Sequence, residues 1–150
     1  MAELYSKWIK EQLEITNTRV RKWVDWNPDS TVYEAFFESR SVIIPRPTDS
    51  WSFLIGLHEI GHISTGERLF SYLAEYNAEK WAIQRAKKIY NIENIDYIED
   101  AKNYVRTHLL DNLAFSSLTI NKVKPYVLEW LNETSETIKE KVECYSHTLS

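Results

Sequence analysis

His58-Glu59-Ile60-Gly61-His62 is an HExxH motif, and it constrains this chain more than any other stretch. Two imidazoles four residues apart can meet one cation only if a helix stacks them on one face. The glutamate beside the first histidine then points towards water held on the metal, where it can act as general base. The surrounding run carries Trp51, Phe53, Leu54, Ile55, Leu57, Ile60 and Ile63. A helix from about Ser50 is therefore apolar nearly all round and is expected to be buried. Two histidines and a glutamate in such a helix cost desolvation energy unless something satisfies them, and a metal ion does so. The plain structural alternative is a pair of hydrogen-bonded core histidines with Glu59 at the surface.

The chain has 150 residues, enough for one domain with a substantial core. A net charge of -4 argues against a broad nucleic-acid footprint, and the clusters Arg19–Lys22 and Arg85–Lys88 read as solvated helix faces. Cys144 is the single cysteine, so an internal disulfide is excluded and a reducing compartment fits. No signal-peptide run and no membrane span is legible, and a cytoplasmic location without membrane attachment is expected. All three glycines fall between Gly56 and Gly66. Gly56 and Gly61 sit inside the expected helix, where each costs about 1 kcal/mol relative to alanine. Their use is close approach of neighbouring backbone beside the histidines, whereas Gly66 suits a left-handed residue ending the helix.

Apolar spacing predicts an amphipathic helix from about Glu3 to Trp26, weakened at Thr16-Asn17-Thr18. After the turn signal Asn27–Ser30, residues 31–37 and 41–44 are rich in β-branched and aromatic side chains and read as a hairpin. Pro45 and Pro47 stop the second strand, and Thr48, Asp49 or Ser50 supplies a cap for the motif helix. Helices follow at about 70–90, 96–113, 123–131 (with Pro125 in its first turn) and 133–145. The expected class is α+β, mostly helical, with a small antiparallel sheet packed on the HExxH helix. Within one domain, residues 1–26 form the N-terminal helix, 31–90 the catalytic core and 96–145 a helical C-terminal part.

A catalytic zinc needs a third protein ligand and an open position. His108 and His147 are candidates. Glu75 and Glu79, the first of them thirteen residues past His62, share one face of the next helix. One of the two can ligate while the other orients a ligating imidazole. His58–His62 followed by Glu75-Tyr76-Asn77-Ala78-Glu79-Lys80-Trp81-Ala82 resembles the gluzincin metallopeptidases, closest to the ImmA/IrrE-like group, whose second element reads roughly Glu-x-x-Ala-x-x-Phe-Ala. Ser41–Pro45 and Trp51–Phe53 also look like that family's strand and helix entry, so the likeness covers about residues 41–83. The resemblance implies a zincin-like fold, Glu75 as the third ligand and repressor-type proteins as conceivable substrates. Leu57 stands where the family usually has alanine, Trp81 where it has phenylalanine, and Gln84–Lys88 where Leu-Met-Pro commonly closes the helix.

One Zn²⁺ per chain, held by His58, His62 and Glu75, is therefore expected. Zinc lowers the pKa of bound water to about 7, and Glu59 would move the proton to the leaving amine. The strand Ser41–Ile44 is the expected edge for an extended peptide substrate. Tyr72, Tyr76, Tyr104 and His108 are possible oxyanion donors, between which spacing cannot choose. Cys144 and His147 read as ordinary tail residues. The partner is a protein or peptide substrate, with a regulatory protein conceivable, and the oligomeric state is not legible. A non-catalytic interaction module retaining a structural zinc site is the alternative.

Overall fold

Local signals give the chain a clear order of elements. The computed structural model describes residues 1–149, with side chains as far as His147. Helix α1 (Ala2–Ile15) precedes strands β1 (Arg19–Val24), β2 (Glu34–Phe36) and β3 (Ser41–Pro45). The HExxH helix α2 (Ser50–Thr65) follows, then α3 (Ser71–Tyr90), α4 (Ile95–Phe115), α5 (Pro125–Leu131) and α6 (Ser135–Leu149). The described residues form six α-helices, the chain is 64% helical with the short 3-10 turn Ile120–Lys122 included, and with the small sheet the class is α+β.

Three expectations are corrected. The N-terminal helix ends at Ile15 instead of reaching Trp26. Asn17 takes a left-handed conformation (φ 52°), and the Thr18 and Asn17 N–H groups donate to Leu13 O and Glu14 O, closing the last turn. Residues 19–24 become β1, whose bulge between Val20 and Lys22 disrupts strand alternation and lets Val20, Trp23 and Val24 imitate a helical period. The sheet is mixed, not antiparallel: its order is β1-β3-β2, with β1 parallel and β2 antiparallel to β3. Consequently Ser41–Ile44 is the central strand and not an edge. Its nearly continuous burial is the mark of a strand covered on both faces.

The structure divides into two compact units: Met1–Glu67 with Asn77–Ile98, and Arg68–Tyr76 with the chain from Glu99. In the first, α2 packs against α1 and β3, burying Ile9, Leu13, Val42, Ile44, Phe53, Leu54, Leu57 and Ile60. Burying a side chain of this kind is worth about 1.5–3 kcal/mol. Tyr5, Trp8, Phe53 and Tyr90 add a cluster of rings 4.6–5.8 Å apart. The second unit has its own core of Tyr72, Tyr76, Val105, Leu109, Leu118, Val123, Val127, Leu131 and Ile138.

The ends of α2 are set by its own sequence. The Asp49 carboxylate accepts from the Ser52 N–H at 2.8 Å, and the Ser52 hydroxyl returns to the Asp49 backbone as a capping box. Gly66 ends the helix at the expected position with a positive φ of 79°, but its ψ of 172° is extended and not that of the left-handed helical cap. No described helix is long and apolar enough to cross a membrane.

Candidate metal centre

Helix α2 carries His58, Glu59 and His62 into the interior, leaving them only 8%, 7% and 8% exposed. Glu59 is thus buried, contrary to the alternative's placement of it at the surface, while the two histidines do form the buried pair that alternative describes. The Nε2 atoms of His58 and His62 face each other at 3.0 Å, with the rings nearly perpendicular at 85°. Donor atoms of all three residues lie within 4.8 Å of one another.

This geometry fits a divalent metal. Two imidazoles on a tetrahedral zinc, with bonds of 2.0–2.1 Å, hold their nitrogens about 3.3 Å apart. Without a cation, two facing Nε2 atoms can be satisfied only if one ring carries the proton and the other does not. A metal accepts both lone pairs at once.

The side of His58 away from His62 is fixed by Glu79 of α3, whose carboxylate Oε1 lies 2.6 Å from Nδ1. Glu79 is itself only 3% exposed. The α3 backbone reaches this depth because Gly61 has no side chain: a Cβ there would meet Ala78 O at 2.8 Å and Trp81 Cε3 at 3.1 Å. The close approach expected at the glycines therefore has a specific use, setting α3 against the histidine helix. On the other histidine, the Phe37 ring stands edge-on to His62 with centroids 6.3 Å apart.

Tyr97, near the start of α4, completes the arrangement and was not legible as a site residue. Its hydroxyl donates to Glu79 Oε1 at 2.6 Å. By sequence it is one more apolar member of an amphipathic helix, and no spacing links it to the motif.

Glu75 is half-buried on α3, one turn before Glu79, and belongs to the second unit with Tyr72, Tyr76, Tyr104 and His108. Tyr72 and Tyr76 are core residues; the Tyr72 hydroxyl accepts from the Lys124 N–H at 3.2 Å. His108 Nδ1 lies 2.9 Å from Ser71 Oγ, and its ring packs on Tyr104. Cys144 and His147 are exposed on α6.

No family model, no curated protein and no solved structure matches the chain.

Proposed function

We propose that the protein is a zinc-dependent peptidase in which His58 and His62 hold the metal and Glu59 is the general base. The observation that carries this reading is the buried pair of Nε2 atoms 3.0 Å apart, with the Glu59 carboxylate beside them. Glu75 is the third ligand implied by the resemblance to ImmA/IrrE-like gluzincins. Bound zinc would polarise a peptide carbonyl and bring the pKa of water to about 7. Glu59 takes the proton from the attacking water and delivers it to the departing amine. With β3 central, β1 and β2 are the two edges of the sheet, and β2, which leads directly to Phe37 beside His62, is the edge we assign to an extended peptide.

The test is metal stoichiometry combined with turnover of a generic protein or peptide-library substrate. About one zinc per chain is expected, lost in H58A and H62A. E59Q should keep the zinc and lose about 10²–10⁴-fold in kcat. Wild-type protein that binds no zinc overturns the metal site, whereas zinc binding with no proteolysis overturns the peptidase.

A second reading, a structural zinc in an interaction module, is favoured by the near-complete burial of the three side chains. It predicts that E59Q is silent in every assay and that a zinc-directed hydroxamate does not bind.

A further inference from the structure

We propose that Tyr97 is a positioning residue for the metal site, acting through Glu79 on the ring of His58. The inference rests on the reading of His58 and His62 as zinc ligands. Glu79 offers one oxygen, Oε1, to two partners: His58 Nδ1 at 2.6 Å and the Tyr97 hydroxyl at 2.6 Å. The second distance is that of a charge-assisted O–H···O⁻ bond. The other acceptor near the hydroxyl, Leu54 O, is 3.5 Å away, so the Tyr97 proton belongs to the carboxylate.

Tyr97 is well placed to fix Glu79 because it is itself held by the helix that bears the histidines. Its N–H donates to Asn94 Oδ1 at 3.0 Å, and Asn94 Nδ2 donates to Ser50 Oγ at 2.9 Å, at the first residue of α2. Its ring stands edge-on to Trp51, one residue further along α2, with centroids 5.4 Å apart. The chain of contacts runs from the start of α2 through Asn94, Tyr97 and Glu79 to His58, and returns to α2. A carboxylate anchored in this way turns His58 so that Nε2, and not Nδ1, is presented towards His62. Such outer partners set the orientation and basicity of a ligating imidazole, and their loss weakens metal binding about 10–100-fold.

Tyr97→Phe removes only the hydroxyl and keeps the ring between α2 and α4. Zinc dissociation constants measured by chelator competition for wild type, Y97F, E79Q and E79Q/Y97F test the inference. Y97F is expected to bind zinc about tenfold more weakly, at the lower end of that range. The double variant should match E79Q within about twofold, because Tyr97 acts through Glu79 and the two effects cannot add. A Y97F affinity equal to wild type, with only the apo-protein Tm lowered, means packing alone and overturns the inference. An undiminished Y97F effect in the E79Q background overturns it too. Wild-type protein without zinc affinity brings down the metal reading, and the inference with it. Should Y97F fail to fold, a crystal structure of zinc-loaded wild type decides. Tyr97 Oη within about 3 Å of the Glu79 carboxylate supports the inference, and a hydroxyl turned away overturns it.

Discussion

At the scale of single residues, the glycines of α2 show how one sequence signal can carry two different meanings. Both interrupt a helix, and both were expected to admit neighbouring backbone. Only Gly61 does so: its absent Cβ leaves room for the Ala78 carbonyl, which cannot move without displacing α3. Beside Gly56 the nearest atom is Ile9 Cδ1 at 3.1 Å, the end of a side chain with rotamer freedom. Alanine at either position gains about 1 kcal/mol of helix propensity. At Gly61 that gain is outweighed by a backbone clash, and G61A should lose about 1–3 kcal/mol. G56A should stay within about 1 kcal/mol of wild type, because Ile9 can yield. Urea midpoints of the two variants decide this, and equal stability would refute the distinction. G61A should also weaken zinc binding, since pushing α3 outward withdraws Glu79 from His58.

At the scale of elements, legibility followed local chemistry. The limits of α2 were readable because Asp49, Ser52 and Gly66 act within a few residues of the helix they bound. The sheet was not readable in the same way. Whether Ser41–Pro45 is an edge or a centre depends on Arg19–Val24 arriving from a distance, and those residues hide their strand behind a bulge. Nor did sequence spacing reveal what joins α4 to the segment between α5 and α6. There the Glu133 side chain, 6% exposed, accepts from Arg106 Nε at 2.9 Å and Thr137 Oγ1 at 2.7 Å, and pairs with Lys141. Burial works to raise its pKa, but Lys141, Thr137 and Arg106 together hold it below the ordinary value of 4.5. A carboxyl depressed in the folded state contributes its stability above the unfolded pKa and loses it as pH falls through the folded one. E133Q should therefore cost about 1–3 kcal/mol at neutral pH. Denaturant titrations of both proteins should show that gap closing as the pH drops below the ordinary carboxylate range. A gap independent of pH would mean that shape, and not charge, gives Glu133 its value.

At the scale of the molecule, the candidate centre combines positions that local reading cannot associate. His58, Glu59 and His62 were legible because helix geometry ties them together, and Glu79 because it lies on one face with Glu75. Tyr97 entered only through the packing of α4 near α2, a contact between residues more than forty positions apart. The consequence extends to the whole fold, because a ligand that binds only the native state stabilises all of it by mass action. Zinc at 100 times its dissociation constant adds about 2.7 kcal/mol, which for a chain of this length corresponds to about 5–10 °C in Tm. Differential scanning fluorimetry should show this rise for wild type and its reversal by chelator. Magnesium and calcium should not reproduce it, since imidazole nitrogens suit neither hard cation. The pattern across variants locates the effect: E59Q should retain the full rise, H58A should abolish it, and Y97F should show it at about tenfold higher zinc. A Tm rise that survives H58A would place the stabilising metal elsewhere in the chain and remove the thermodynamic basis for a centre on α2.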